Sequence, residues 1–334
     1  MRRGRDCADK AFVTETAPAR DERTQMDAAR ERILSKYGVS PEARLSGGME
    51  AEVYAWGPDA VLKLYPGTVR LDEMRTLQAF YDSLERERVP YALPRIHTVA
   101  QEGDWLVTVE QRLAGTRMSA LLPALTPGEL ETTMGRYLDA ALAVSNLSPP
   151  PGFDRYKLLD PESISRRAEG DWHRFLARYL ALQLEQVGRC LARDVPHFAD
   201  RVRALQAVLD PPYRGAYRLV HGDFFPGNLM VDGEGQVTAL LDFGLLTMYG
   251  DPLFDIATGW VFFDMYDKLG ARARERCLDV ILGRLGGGVR GTLYRYVLIY
   301  SILSANTYSP ACADGHYRWC VDNLNTPQYW DALA

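Results

Sequence analysis

Leu219-Val220-His221-Gly222-Asp223-Phe224-Phe225-Pro226-Gly227-Asn228-Leu229-Met230, with Leu240-Leu241-Asp242-Phe243-Gly244 downstream, is the part of this chain that decides its reading. A short apolar run leads into His221 and Asp223. Asn228 follows five positions after Asp223, close enough for one loop to present both side chains to one cavity. The turn Asp232-Gly233-Glu234-Gly235 separates two short strands expected at 229–231 and 236–241, and Asp242 stands at the end of the second. A plain hairpin would also use Asp, Gly and Asn in its turns. It gives no reason for His, Asp, Asn and Asp-Phe-Gly to occur together in that order.

Phosphoryl transfer does explain them. That chemistry asks little of a protein beyond a carboxylate to accept the attacking hydroxyl's proton and oxygen ligands for Mg²⁺ bridging the phosphates. Asp223 is placed to be the base. Asn228 and Asp242 are placed to reach the metal.

Outward from this centre, the hydrophobic periodicity predicts a helix at 27–37, ended by Gly38. Two strands follow at 52–56 and 60–65 around Gly57-Pro58-Asp59, then an amphipathic helix at 71–84. A second strand pair is expected at 96–100 and 105–111, turned by Glu102-Gly103-Asp104. Beyond Leu113 long helical patterns dominate, at 129–147, 174–193 and 198–209, broken by Pro149-Pro150-Pro151. The fold class read from this order is α+β: a small antiparallel β lobe with one helix (26–112), then a larger, mostly α-helical lobe (113–334). Residues 1–25 are polar and aperiodic and read as a disordered tail.

The 334 residues carry a net charge of −5, with 47% hydrophobic and 25% charged residues. That balance disfavours a phosphate-tracking nucleic-acid binder and suits a cationic small molecule. Five scattered cysteines argue for a reducing cytosol over a disulfide framework. Arg2, Arg3 and Arg5 precede no apolar run, so no secretory signal is read, and no stretch is long and apolar enough for a membrane span. The expectation is a cytoplasmic protein.

The His221-x-Asp223 motif, Asn228 and Asp242 resemble the catalytic and metal-binding loops of the aminoglycoside phosphotransferase and choline kinase superfamily, which shares the protein-kinase fold. Gly250-Asp251-Pro252-Leu253-Phe254-Asp255-Ile256-Ala257 is similar to the Gly-Asp-Pro-x-x-Asp-x-Ala segment of these small-molecule kinases. The likeness spans 26–330, and the linear order looks closest to the hygromycin-type branch. It implies a two-lobed, protein-kinase-like fold, ATP and Mg²⁺ as cofactors, and O-phosphorylation of a small molecule, an aminoglycoside being the first choice.

It also implies roles in the small lobe. Lys63, within Val61-Leu62-Lys63-Leu64, would contact the ATP phosphates, although an edge-strand charge is the plain alternative. Glu73 on the following helix would hold that lysine, and Gly47-Gly48 would lie in the phosphate-covering loop. The run from Val107 through Gln111 to Leu113 would form the hinge whose backbone reads adenine. No Gly-x-x-x-x-Gly-Lys-Ser/Thr occurs, which removes a P-loop reading.

A protein kinase is disfavoured, because Gly222 stands where an arginine usually precedes the aspartate. Gly250 also follows Gly244 by only six positions, leaving no long activation segment. Macrolides, choline, homoserine and methylthioribose compete with aminoglycosides as acceptors, and an idle nucleotide-binding scaffold is the non-enzymatic alternative. Asp264 and Asp267, three apart on a helix expected to follow Asp255, are the chosen ligands for a cationic substrate, with Asp314 and Asp322 as further carboxylates. Trp260, Phe262, Phe263, Tyr266 and Trp319 fit a sugar site or a core. Cys312, His316 and Cys320 recur at helical spacing, but zinc would need a fourth ligand.

Overall fold

Period-two alternation builds the N-terminal sheet. In β3 (Ala60–Pro66), Leu62 and Leu64 point to one face, and in β5 (Trp105–Gln111) Val107 and Val109 join them. With Tyr54 of β2 (Glu52–Trp56) and Ile33 and Leu34 of α1 (Arg20–Tyr37) they form one buried cluster. The opposite face carries Lys63, which is in register with Thr108, and Glu110 two residues on. The strand order is β1-β2-β3-β5-β4, where β1 is Arg44–Gly47 and β4 is Ile96–Glu102. β3 is therefore central, and the edge-strand reading of Lys63 falls.

This computed structural model describes residues 20–47, 51–67, 69–148, 168–243, 246–265, 269 and 272–333. Gly48, Gly244, Asp267, the Pro149–Pro151 loop and residues 1–19 lie outside them. Helix α1 starts at Arg20, so residues 20–25, read as tail, are helical. Arg20, Glu22, Arg23 and Gln25 are good helix formers and need no apolar stripe to be so.

The chain divides into two compact units, one of residues up to 69 with 98–112 and one of 70–97 with 113 onward. Helix α2 (Leu71–Ser83) thus belongs to the second unit, although the sequence places it among the small lobe's strands. Its Phe80 and Tyr81 rings pack edge-on against Phe243, at 5.6 and 5.8 Å between centroids.

The second unit is mostly helical. β6 (Thr116–Arg117) and α3 (Met118–Leu121) lead to α4 (Pro127–Val144), whose N-terminus Thr126 and Glu129 close as a reciprocal capping box. α5 (Trp172–Asp194) is capped by Asp171, and α6 is Phe198–Leu209. Four short strands come next: β7 (Arg218–Val220), β8 (Leu229–Val231), β9 (Val237–Leu240) and β10 (Met248–Gly250). β7 pairs antiparallel with β10, and β6, β8 and β9 form a three-stranded sheet. Helix α7 (Leu253–Phe263) is buried from Phe254 to its end, as its all-round apolar sequence requires. α8 (Ala273–Leu285), α9 (Arg290–Leu303), α10 (Gly315–Leu324) and α11 (Pro327–Asp331) complete the unit.

Two sequence expectations change here. Asp264 lies just past the end of α7, which stops at Phe263, and Asp267 lies outside the described residues. Asp264 instead accepts the Leu269 N–H at 3.2 Å with both carboxylate oxygens, the local competition for backbone donors that makes aspartate a poor interior helix residue. Cys312 likewise precedes α10 with φ of +53°, off the helix that carries His316 and Cys320.

Candidate active site

The catalytic loop leaves β7 with its backbone held from several sides. His221 and Gly222 both donate their N–H groups to the Asp255 carboxylate of α7, at 2.5 Å to Oδ2 and 2.8 Å to Oδ1. Thr247 donates its hydroxyl to the His221 carbonyl at 2.7 Å. Gly222 has φ of +82°, and a Cβ there would stand 2.5 Å from the Leu246 carbonyl carbon, so the loop admits only glycine. Farther along, the Tyr137 hydroxyl donates to the Phe224 carbonyl at 3.1 Å, and Arg117 to the Gly227 carbonyl at 2.6 Å.

His221 is fully buried, and its two ring nitrogens have unambiguous partners. Nε2 lies 2.8 Å from the Leu241 carbonyl, which can only accept; Nδ1 lies 3.2 Å from the Asp223 N–H, which can only donate. The ring is therefore the neutral Nε2–H tautomer, bridging the backbone before Asp242 to that of Asp223. Burial is the main reason its pKa is lowered to about 4. Burial pushes the Asp255 carboxyl up to about 7, against the two N–H bonds that favour its charged form, while the nearby Asp223 charge adds to the rise.

Between its ordinary 6.5 and about 4, the unfolded chain protonates His221 and the folded chain does not, so this group withdraws stability as pH falls through that window. His221→Gln cannot titrate. Its stability deficit relative to the parent should therefore shrink by about 3 kcal/mol from pH 7 to pH 4. Denaturant melts of both metal-free proteins across that range check this, and a constant difference would contradict it.

The structure brings Asp223, Asn228 and Asp242 to the ends of β7, β8 and β9. Asn228, buried in the turn at Pro226–Asn228, donates Nδ2 to the Asp223 carbonyl at 2.9 Å and to Asp223 Oδ2 at 3.0 Å. With the amide nitrogen so committed, its oxygen is what the side chain offers a cation. Asp242 is exposed and holds φ of +46° just after β9. An amide oxygen and a carboxylate on adjoining strand ends are the hard oxygen donors Mg²⁺ takes, so the residues fit that ion.

In the first unit, Lys63 Nζ lies 2.9 Å from Glu110 Oε2, and Thr108 donates to Glu110 Oε1 at 2.6 Å. Glu110 is buried and was not singled out from the sequence, where it is one polar residue inside a strand; only the pairing of β3 with β5 selects it. Gly47 ends β1, Gln111 ends β5, and Glu73 lies half-buried on the first turn of α2 in the other unit. Leu113 opens the second unit's chain after β5.

Within the second unit, a cavity of about 170 Å³ lies beside the catalytic loop, walled by Phe225 and Pro226 on one side and Leu122, Phe262, Phe263 and Asp264 on others. Burial first, and then the Asp223 charge, raises the phenols of Tyr300 and Tyr308.

The sequence pattern of the phosphotransferase enzyme family matches residues 42–291, from β1 through the catalytic loop to the start of α9. The chain belongs to this family. Comparison with curated protein sequences gives no match. Among solved structures, the chain is similar to the ADP-bound aminoglycoside phosphotransferase APH(2'')-Ib, with a TM-score of 0.56 and 15% identity over 90% of this chain and 97% of that one. It is similar to APH(2'')-IIa in complex with gentamicin, with a TM-score of 0.57 and 16% identity over 90% and 96% of the two chains. The GDP and kanamycin complex of APH(2'')-IIia gives 0.57 and 16% over 91% and 98%. At such identities these likenesses speak to the fold, and they agree with the α+β, kinase-like architecture of this phosphotransferase.

Proposed function

We propose that this phosphotransferase moves the γ-phosphoryl group of ATP to a hydroxyl of a small molecule, and that the acceptor is an aminoglycoside. The observation that carries the reading is the Asp223–Asn228–Asp242 set, with the catalytic loop held by the committed N–H groups of His221, Gly222 and Asp223. In the transfer, the acceptor oxygen bonds to the γ-phosphorus as its proton passes to the Asp223 carboxylate, and the bond to the bridging oxygen breaks to release ADP. Asn228 and Asp242 would hold Mg²⁺, which supplies charge neutralisation on the phosphates. Lys63, paired with Glu110, would contact the phosphates. Gly47 and Gly48 would approach them with backbone, and the segment from Gln111 to Leu113 would read the adenine.

The net charge of −5 favours a cationic acceptor, and gentamicin and kanamycin are bound by the structural relatives. Cys190, Cys277, Cys312 and Cys320 are all free, in keeping with a reducing cytoplasmic setting. No described helix is long and apolar enough to cross a membrane. An ADP-release assay against gentamicin, kanamycin, a macrolide, choline and homoserine tests the assignment. Turnover with an aminoglycoside supports it, and turnover confined to an uncharged or anionic acceptor sinks it.

Metal dependence tests the ligand assignment separately. Asp242→Ala should raise the Mg²⁺ concentration needed for half-maximal turnover more than Asn228→Ala does, because a carboxylate brings charge as well as an oxygen donor. Mg²⁺ titrations of both variants decide this; unchanged dependence in both would remove them from the metal site.

A further inference from the structure

Along α5, Gln183, Gln186, Cys190 and Asp194 follow one another at spacings of three and four, so they share one helix face. The turn between α9 and α10 is fastened to that face at both ends. Asn306 accepts from the Gln183 amide and donates Nδ2 to Gln186 Oε1 at 3.0 Å. Farther on, the Tyr317 hydroxyl donates to Asp194 Oδ2 at 2.7 Å, and Asn325 Nδ2 donates to the Asp194 carbonyl at 3.2 Å. Between these two clamps stand Cys190 on the helix and Cys312 on the turn. Their thiols hydrogen-bond to one another and are not bridged.

The two thiols differ in access. Cys190 is half-buried, whereas Cys312 is 4% exposed and is held in its turn by an N–H bond to the Ser309 carbonyl at 2.9 Å. Burial, and then the bond with Cys190, pushes the Cys312 thiol up to about 12, so it stays protonated and is a poor first target for an oxidant. Cys320 is fully buried and has other neighbours, its Sγ lying 3.6 Å from the Ser304 hydroxyl and 3.6 Å from His316 Nε2. Phosphoryl transfer uses neither Cys190 nor Cys312, so what they do is independent of the acceptor.

We propose that Cys190 and Cys312 form a reversible oxidation site, closing to a disulfide when the protein meets hydrogen peroxide and tying the turn before α10 to α5. Cys190, the more accessible thiol, reacts first. Its sulfur bonds to one peroxide oxygen, the O–O bond breaks, and the thiol proton leaves with the other oxygen as water. The Cys312 sulfur then bonds to the Cys190 sulfur, the S–O bond breaks, and the Cys312 proton leaves with that oxygen as a second water. Each sulfur is oxidised by one electron, and the peroxide is reduced by two. The seam is pinned on both sides of the pair, so closing to an S–S bond of about 2.05 Å asks for side-chain rotation and not for a refolded backbone. A reducing cytoplasm returns the pair to thiols once the oxidant is gone.

The test treats the full native chain with a small excess of hydrogen peroxide, alkylates it unreduced with N-ethylmaleimide, and maps the digest by mass spectrometry. The expected product is the Cys190 and Cys312 peptides joined, about 2 Da lighter than their sum, and separated again by dithiothreitol. Because the bridge constrains the unfolded chain, the oxidised protein should melt about 4 °C or more above the reduced one. Cys312→Ser should leave Cys190 as a sulfenic acid that dimedone labels, and Cys190→Ser should leave Cys312 unoxidised. If either variant fails to fold, the map of the parent chain decides alone. Oxidation of Cys190 with Cys312 still open to maleimide would overturn the proposal, as would bridging of either residue to another cysteine in preference. A Cys190–Cys312 link that forms only in denaturant, or that lowers the melting temperature, would overturn it as well.

Discussion

Asp223→Asn should lower kcat by about 10²–10⁴-fold while leaving nucleotide affinity nearly unchanged. Asparagine matches aspartate in shape and cannot take the acceptor's proton. The surrounding geometry makes this a clean substitution. The Asp223 N–H still finds His221 Nδ1, and the Asp223 carbonyl still receives Asn228 Nδ2 at 2.9 Å. The side-chain bond from Asn228 at 3.0 Å can also persist to the new amide oxygen. What is lost is the carboxylate that the proposed mechanism uses as base. Steady-state kinetics with nucleotide titration check the split between kcat and affinity, and a variant that keeps more than about a tenth of the parent kcat would remove Asp223 from the base role.

Asp255→Ala should be the most damaging substitution for the fold. It strips the acceptor from two buried N–H groups at once, those of His221 and Gly222, and each unsatisfied buried donor costs about 1–3 kcal/mol. A loss of about 2–6 kcal/mol is expected on that basis, together with a fall in kcat as the loop loses its register. Asp255→Asn can still accept from one N–H, so it should retain more stability. Denaturant melts of both variants decide the matter: equal and small losses would mean that the loop is held by Thr247, Tyr137 and Arg117 without the Asp255 cradle.

Much of this site was legible in the sequence because its parts lie close along the chain. Asp223 and Asn228 share a single turn, Asp242 follows one hairpin later, and the strand and helix periods around them are local properties of the side chains. The glycine at 222 was visible too, as the residue that separates this loop from the protein-kinase pattern. Its reason was not visible, since the Leu246 backbone that excludes a side chain there comes from beyond the hairpin.

The residues that support the site are of a different kind. Asp255 could be quoted as part of a motif, yet its task depends on α7 passing beneath the loop. Glu110 reads as an ordinary strand residue until β3 and β5 pair and set it on the Lys63 face. Asp264 was chosen by helical spacing, and only the structure ends α7 at Phe263, one residue before it.

By itself, then, the sequence determined the α+β order of elements, the identity of the base and metal-ligand candidates, and the strand that carries Lys63. Period, turn chemistry and short spacing act over a few residues, and no distant partner is needed to express them. Only the tertiary structure decided that α2 joins the second unit, that Glu110 meets Lys63, and that Asp255 receives the loop's N–H groups. Those outcomes depend on which faces pack together, because burial decides where a polar atom must find a partner.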